Sequence, residues 1–214
     1  MNIGIIGSGV VGQALANGFI KHGYSVMLGT NTPSKREALQ GKTNGKARIG
    51  SFADAAAFGE IVVFAPKGSA AEAAIKATGA ANLRGKTVID TTNPIAERPP
   101  ENGVIHYFTT LDESLMERLQ RLAPEARFVK AFCSAGNAFM VDPDFGGVKP
   151  TMFICGNDDD AKKATTRILD QFGWETMDMG KVESARAIEP LAILWCIPGF
   201  LYNNWSNAFK MLRK

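Results

Sequence analysis

A glycine motif near the N-terminus constrains the fold of this chain more than any other feature. The apolar run Asn2–Ile6 leads into Gly7-Ser8-Gly9-Val10-Val11-Gly12, and a helical apolar pattern follows. A G-x-G-x-x-G between a strand and a helix is typical of βαβ units that bind dinucleotides. The first glycine permits the tight turn, the second admits a pyrophosphate to the backbone, and the third lets the helix pack on the strand. The motif therefore predicts dinucleotide binding; glycines that serve only close packing are the alternative.

The rest of the chain alternates short apolar runs with longer helical patterns, which predicts an α/β, Rossmann-type three-layer fold with a mostly parallel sheet. Strands are predicted at residues 2–6, 24–28, 47–49, 61–65, 87–90, 127–132, 151–155 and 175–179. Helices are predicted at residues 10–22, 70–78, 112–122 and 159–172, with a loop at 96–103. We expect a nucleotide-binding Rossmann domain over residues 1–181.

A C-terminal helical extension is predicted over residues 182–214, packed on the same domain or on a partner subunit. The chain is helical in character from Glu183 onward, and we expect Pro190 and Pro198 to divide this stretch. Its aromatic side chains are more numerous than a free surface helix should expose, which predicts a homodimer. Intramolecular packing and an interfacial membrane helix are the alternatives. These aromatic residues are Trp195, Phe200, Tyr202, Trp205 and Phe209.

Composition excludes several classes of function. Of 214 residues, 45% are hydrophobic and 21% charged, which is typical of a globular protein rather than a disordered one. The net charge of +3 comes without a dense basic run, so we expect no nucleic-acid partner. Three widely separated cysteines form no C-x-x-C pair, so we expect no metal site and reduced thiols.

The location predicted from the sequence is cytoplasmic. The N-terminus lacks the basic and apolar regions of a signal peptide. The longest apolar run, residues 191–201, contains a proline and a glycine and is shorter than the ~20 residues that cross a bilayer. We therefore predict no membrane span.

The end of the second predicted strand favours NADP(H) over NAD. An NAD site usually carries a carboxylate there, about 20 residues beyond the glycines, to accept the ribose 2′-hydroxyl. This chain has Gly29-Thr30-Asn31 instead, with no carboxylate to repel a 2′-phosphate. Thr30, Asn31, Lys35 and Arg36 are candidate donors to that phosphate. The alternative is that Lys35 and Arg36 begin a solvated helix.

Further candidate residues follow the other parallel strands, because ligands of open α/β sheets bind outside the strands' carboxyl ends. Hydride transfer needs orientation more than an acid or base, so the lack of a recognisable acid–base pair is no objection, and the catalytic residues are left unassigned. Neither histidine has a recognisable partner, and we predict that neither is catalytic. Each candidate also has an interpretation without a ligand. Lys67 would then be a solvated surface residue, and Asn93-Pro94 would only form a turn. Cys133 would be a small buried residue rather than a reactive thiol. The additional cofactor-binding candidates are Ala65, Pro66, Lys67, Asn93 and Pro94, and the substrate-cleft candidates are Cys133 and Ser134.

Together with the glycine motif, three later segments resemble the F420-dependent NADP oxidoreductase family over nearly the whole chain. The segments are Phe128-Val129-Lys130-Ala131-Phe132, residues 152–159 and residues 185–191. The chain is also similar to the cytosolic reductase domain of the six-transmembrane metalloreductases, without their membrane part. The resemblance implies a Rossmann domain, NADP(H) at the glycine loop, and a flavin or deazaflavin hydride acceptor beside the nicotinamide.

The resemblance also implies roles for individual residues. Residues 7–11 fall on the family's phosphate loop, and Pro66 and Lys67 fall where its backbone lies against the cofactor. Thr30 and Asn31 fall where the family has a serine and an arginine for the 2′-phosphate. The replacement of that arginine by Asn31 predicts weaker selectivity for NADP. Residues 133–136 replace a histidine-containing stretch of the deazaflavin enzymes.

The function predicted from the sequence is hydride transfer between NADPH and a flavin, deazaflavin (coenzyme F420) or quinone-like acceptor. A non-catalytic protein that binds NADPH as a sensor is the alternative from a different class. The N-terminal organisation also resembles β-hydroxyacid dehydrogenases and pyrroline-carboxylate reductases, which need a long helical second domain. Only about thirty residues follow Glu183, too few for that domain unless dimerisation supplies it.

Overall fold

The computed structural model of the protein describes residues 1–214 as one sheet with helices on both faces. The strands are β1 (Asn2–Ile6), β2 (Ser25–Gly29), β3 (Arg48–Gly50), β4 (Ile61–Phe64), β5 (Thr87–Asp90), β6 (Arg127–Lys130), β7 (Thr151–Gly156) and β8 (Glu175–Asp178). The helices are α1 (Val10–Lys21), α2 (Arg36–Lys42), α3 (Phe52–Phe58), α4 (Ala71–Thr78), α5 (Leu115–Leu122), α6 (Asp159–Gln171), α7 (Ala185–Ile188) and α8 (Leu191–Tyr202).

The eight strands form a single sheet in the order β3-β2-β1-β4-β5-β6-β7-β8. Every neighbouring pair is parallel except β6 and β7, which pair antiparallel. The first six strands have the 3-2-1-4-5-6 order of a dinucleotide-binding sheet, with its topological switch point between β1 and β4. The predicted fold class is confirmed.

Two apolar clusters of 24 buried residues each fill the spaces above and below the sheet. Strand β4 contributes to both, because Val63 lies in one cluster and Val62 and Phe64 lie in the other. All four residues of β4 are buried, as expected for a central strand of a parallel sheet covered on both faces. This core holds the carboxyl ends of the strands in a fixed arrangement.

Several predicted elements differ from those in the structure. The helix predicted at residues 112–122 begins at Leu115, because Ser114 caps its first turn and Glu117 bonds back to Ser114. The strand predicted at 127–132 ends at Lys130, and Phe132 has a φ of 63°, which extended strands do not adopt. Helix α2 begins at Arg36, in agreement with the alternative of a helix start at Lys35 and Arg36. Helix α3 was not predicted, although Ser51 and Asp54 form a capping box that marks its start.

The C-terminal extension also differs from its prediction. A turn at Glu189 and Pro190 separates α7 from α8, but Pro198 lies inside α8, so the predicted break there is wrong. A proline removes one helical N–H, whose acceptor would be the carbonyl of Leu194, an exposed residue. Residues 203–214 are not helical, and the carbonyl of Phe209 instead accepts the N–H of Thr151 at 2.8 Å.

The continuous stretch Val182–Tyr202 bears on the prediction of no membrane span. It has 21 residues, a mean hydropathy of 1.2 in its most apolar window, and 28% of that window buried. By length and composition alone it is able to cross a bilayer, a criterion that core helices of soluble proteins also meet. The prediction based on uninterrupted apolar runs is therefore not confirmed.

Candidate nucleotide-binding site

A cleft of about 460 Å³ opens at the carboxyl ends of β1, β2 and β4. It brings together nine of the residues predicted from the sequence: Gly7, Ser8, Gly9, Thr30, Asn31, Lys35, Ala65, Pro66 and Lys67. Its remaining lining was not predicted and comes from Thr32, Phe52, Ala70, Ala73 and Ala74. The small side chains on α4 and on the turn before it leave the cleft open. The alanine-rich sequence of this segment was the signal from which this part of the lining could have been predicted.

The three glycines of the motif are glycines for different reasons. Gly7 has a φ of 108°, and a Cβ there would lie 2.5 Å from the carbonyl oxygen of Ala65. A Cβ at Gly12 would lie 1.9 Å from the carbonyl oxygen of Gly7. Gly9 has an ordinary φ of −72°, and a Cβ there would meet nothing within 4 Å. Neither packing nor backbone conformation requires a glycine at position 9.

The N-terminus of α1 faces this cleft without a side-chain cap. Gly9 is the N-cap residue, the first turn of α1 contains no acidic residue, and its leading amides have no helical acceptors. The side chain of Gln13 donates to the carbonyl of Ser8 at 2.7 Å and so holds the loop against the helix. Free amides and the positive end of the helix dipole make this position favourable for a phosphate.

The β2 end of the cleft carries polar and basic groups. Thr30 is buried, and its hydroxyl accepts the N–H of Thr32 at 3.2 Å. Asn31 and Lys35 are exposed, with Lys35 in the short turn Pro33–Lys35 before α2. No aspartate or glutamate lines the cleft. A 2′-phosphate would therefore meet donors and one cation at this end; Arg36 is not part of the lining.

Lys67 lies at the opposite side of the cleft and is held in an ion pair. Its ammonium donates to Glu97 Oε1 at 2.7 Å, and the hydroxyl of Ser69 donates to the same oxygen at 2.8 Å. These two hydrogen bonds hold the pKa of Glu97 below its usual value. Lys67 is thus exposed but not free, and its role toward a phosphate stays a prediction.

Other predicted residues lie near the cleft without lining it. Val10 is exposed in the first turn of α1, whereas Val11 is half-buried and Gly12 is buried. Asn93 and Pro94 follow β5, beside Cys133 and Ser134, which follow β6. The Asn93 amide donates to the carbonyl of Cys133 at 2.6 Å. The roles of all these residues toward a ligand stay predictions.

Cys133 does not have the surroundings of an activated thiol. It is 4% exposed, and burial raises its pKa above the ordinary value, against the lowering effect of Lys130. Reactive cysteines instead have lowered pKa values and partial exposure. The environment fits the alternative of a small buried residue. Of the histidines, His22 caps the end of α1 and its Nε2 lies 3.0 Å from Asp142.

A buried ion cluster at the ends of β5 and β6 was missed by the sequence analysis. The ammonium of Lys130 lies 2.6 Å from Asp90 Oδ2 and 2.8 Å from Glu189 Oε1, and it donates to the carbonyl of Thr92 at 2.8 Å. The side chains of the three ionic residues are at most 2% exposed. The available signal was a lysine inside the apolar run Phe128-Val129-Lys130-Ala131-Phe132.

The charges of this cluster support one another. Burial alone would lower the pKa of Lys130, but Asp90 and Glu189 outweigh it and raise that pKa above its ordinary value, so the ammonium stays charged. The Glu189 carboxylate also accepts the N–H groups of Leu115 and Met116, each at 3.0 Å. It therefore satisfies the N-terminus of α5 and joins it to the sheet and to the C-terminal extension.

Comparison with known proteins decides the family. The model of the coenzyme F420-dependent NADP oxidoreductases matches residues 2–94. A crystal structure from Arthrobacter sp. FB24, described provisionally as an F420-dependent NADP reductase, matches with a TM-score of 0.92, 31% identity and full coverage of both chains. The chain belongs to the F420-dependent NADP oxidoreductase family. The resemblance predicted from the sequence is confirmed, and with it NADP(H) as the family's cofactor.

Two curated relatives of this chain are matched in part. The metalloreductase STEAP3 of Rattus norvegicus is 29% identical over 204 residues, covering 93% of this chain and 38% of the relative. The F420-dependent NADP reductase of Methanocaldococcus jannaschii is 31% identical over 113 residues, covering 52% of this chain and 50% of the relative. The chain thus spans half or less of the length of these relatives.

Proposed function

We propose that this protein transfers hydride between NADPH and a planar acceptor of the flavin, deazaflavin or quinone-like class. The observation that carries the proposal is Gly9, which lines the cleft and whose hydrogen side chain no neighbouring atom requires. No protein atom near the uncapped N-terminus of α1 requires a glycine at this position. The close approach of a pyrophosphate to the backbone would explain why the residue is a glycine. Membership among NADP-dependent oxidoreductases supports the same ligand.

The residues of the cleft fit the pyrophosphate and the 2′-phosphate of NADP(H). Ser8 and Gly9 would hold the pyrophosphate with backbone amides, whereas Gly7, whose N–H donates to the carbonyl of Gly29, would shape the turn beneath it. Lys35 with Asn31 would hold the 2′-phosphate. The absence of a lining carboxylate removes the usual discrimination against that phosphate. When bound, NADPH supplies the hydride. The protein binds and orients the reactants and excludes water, which is the contribution expected when the cofactor carries the reactive atoms.

A deazaflavin acceptor is supported by one relative's name and by the site's position. The relative from Methanocaldococcus jannaschii is named for coenzyme F420, and the rat relative is a metalloreductase. In this protein the acceptor would lie at the ends of β5 and β6, beside Asn93, Pro94, Cys133 and Ser134. A cytoplasmic location belongs to the same proposal and is supported by three cysteines that form no disulfide.

The proposal is tested by turnover. The purified protein is mixed with NADPH and, in turn, riboflavin, FMN, FAD, coenzyme F420 and a soluble quinone, and the loss of NADPH absorbance is followed. We expect saturable oxidation with at least one acceptor, and slower oxidation with NADH. Tight NADPH binding without oxidation by any acceptor would instead favour the sensor alternative.

A further inference from the structure

The buried cluster of Asp90, Lys130 and Glu189 holds other groups in place rather than reacting itself. The ammonium of Lys130 forms ion pairs with Asp90 and Glu189 and donates a hydrogen bond to the carbonyl of Thr92. All three of these neighbours belong to the protein. The cluster also joins segments that are far apart in sequence, since Glu189 lies between α7 and α8 whereas Asp90 and Lys130 end adjacent strands.

The turn after β5 is the part of the backbone that the cluster fixes. Asp90 Oδ1 accepts both the N–H of Thr92 at 2.9 Å and its hydroxyl at 2.7 Å, while Lys130 binds the carbonyl of the same residue. The next residue, Asn93, is confined by Gly68, where a Cβ would lie 1.8 Å from the Asn93 carbonyl oxygen. The position of Asn93 is therefore set from both sides.

In the side-chain amide of Asn93, the nitrogen has a hydrogen-bond partner and the oxygen has none. Its Nδ2 donates to the carbonyl of Cys133 at 2.6 Å, and only the amide nitrogen is able to make that bond. Oδ1 must therefore face away from that carbonyl, and it is buried without a hydrogen-bond partner. A buried acceptor without a donor is unfavourable, so a ligand that supplies a donor to Oδ1 gains affinity.

The location of Asn93 indicates which part of a ligand supplies that donor. The 2′-phosphate end of the cleft lies at β2 and the pyrophosphate loop at β1. In a sheet of this order the other half of the dinucleotide lies over the ends of the strands beyond the switch point, here β4, β5 and β6. That half contains the nicotinamide carboxamide and the ribose hydroxyls, all of which donate hydrogen bonds.

We propose that the Asp90–Lys130–Glu189 cluster positions Asn93 so that its Oδ1 accepts a hydrogen bond from the nicotinamide half of NADPH. Because Oδ1 is enclosed, the donor reaches it with a local shift of the surrounding chain. The inference rests on the proposed function, since it assumes that NADPH occupies the cleft. It assigns Glu189, in the C-terminal extension, a positioning role for the nicotinamide.

The test compares NADPH with 2′-phosphoadenosine diphosphoribose, which keeps the 2′-phosphate and pyrophosphate but lacks the nicotinamide. Both ligands are titrated calorimetrically into the wild type and into Asn93→Ala, Glu189→Gln and Glu117→Gln. Glu117 is the matched control, because it is a buried glutamate at the same end of α5 that pairs with Arg186 and has no contact with the β5 turn.

We expect Asn93→Ala to weaken NADPH binding by about threefold to tenfold, the effect of one hydrogen bond, and to change binding of the fragment by less than about twofold. Glu189→Gln should weaken NADPH selectively in the same direction. Glu117→Gln should leave the ratio of the two affinities unchanged. If Glu189→Gln does not fold, Asp90→Asn takes its place, because it retains the Oδ1 contacts with Thr92.

Equal losses for both ligands, or an unchanged ratio in Asn93→Ala, would overturn the inference. A changed ratio in Glu117→Gln would also overturn it, because disturbance of α5 alone would then explain the effect. Failure of the wild type to bind either ligand is a different result, and it would refute the proposed function together with the positioning role.

Discussion

Single residues in this protein show that one motif combines structural and ligand-binding requirements. Gly7 and Gly12 are required by the backbone they touch, whereas Gly9 has free space around it. The motif predicted a tight turn at the first glycine, the approach of a pyrophosphate at the second and helix packing at the third, and the surroundings of Gly7 and Gly12 agree with that division. The two classes of glycine should therefore respond differently to substitution.

Alanine substitutions test that separation in the absence of any ligand. We expect Gly7→Ala to reduce the free energy of unfolding by at least about 1–2 kcal/mol, because it adds a Cβ at a positive φ against the backbone of Ala65. Gly9→Ala should cost less, at most about 1 kcal/mol, because alanine there is only a poorer N-cap than glycine. Urea denaturation of the two variants measures both values. Equal destabilisation would show that Gly9 also has a packing role.

Lys130 is expected to be essential for stability. Lys130→Met leaves Asp90 and Glu189 as buried carboxylates without their cation, which should cost about 3–5 kcal/mol. The control is Lys163→Met, which breaks an exposed pair with Asp160 and should cost at most about 0.5 kcal/mol. Denaturation curves of the two variants give the comparison, and a loss below about 1 kcal/mol in Lys130→Met would show that the cluster relaxes or admits water.

At the scale of elements, the strands were predictable and several helix boundaries were not. Strands buried on both faces form continuous apolar runs such as residues 61–64, and all eight were found within two residues of their predicted bounds. Helices α2 and α3 are only seven residues long, too short for an apolar period to stand out. The end of β6 depends on Phe132, whose positive φ no local pattern indicates.

The candidate site likewise has a part that was predicted from the sequence and a part that was not. Its glycine loop and the ends of β2 and β4 were predicted, because each follows directly from a strand that the sequence marks. The cluster of Asp90, Lys130 and Glu189 was missed because its members are up to 99 residues apart, and only the packing of α7 and α5 brings Glu189 to the sheet. A lysine within an apolar strand indicates a buried partner without identifying it.

Glu117, in the first turn of α5, should make the free energy of unfolding depend on pH in the acidic range. The hydrogen bonds from Arg186 lower the pKa of Glu117 to about 2, from an ordinary value of 4.5. A carboxyl with a depressed folded-state pKa stabilises the fold above its unfolded pKa and loses that contribution as the pH falls towards the folded one. The stability advantage of the wild type over Glu117→Gln should therefore shrink between about pH 5 and pH 2. An advantage that does not change over this range in urea denaturation would contradict the assigned pairing.

At the scale of the whole molecule, the outer face of α8 is only partly covered within one chain. Leu194, Phe200, Leu201 and Tyr202 are between 46% and 76% exposed, although Trp195 and Trp205 pack together at 5.7 Å between ring centroids. The predicted intramolecular packing therefore covers only part of the aromatic residues. The homodimer predicted from the sequence remains the prediction for the rest of this face.

Light scattering after size-exclusion chromatography tests the predicted dimer. We expect twice the chain mass of 23.0 kDa, and a shift towards the single-chain mass in Leu194→Glu, which alters a residue that is 57% exposed on α8. The control Leu212→Glu alters an equally apolar residue outside α8 and should leave the mass unchanged. A single-chain mass for the wild type would contradict the dimer, and binding of that monomer to anionic vesicles would favour the interfacial alternative.

The central claim is that the cleft at Gly9 holds NADPH, and calorimetric titration tests it most directly. NADPH and NADH are titrated into the wild type, Gly9→Val and Gly41→Val, the last altering a glycine in α2 that also has no atoms within 4 Å of its Cβ position. We expect NADPH to bind the wild type and Gly41→Val at least about ten times tighter than NADH, a difference of ~1.4 kcal/mol, and to lose binding in a folded Gly9→Val. Failure of both nucleotides to bind the wild type, or undiminished binding to Gly9→Val, would contradict the account.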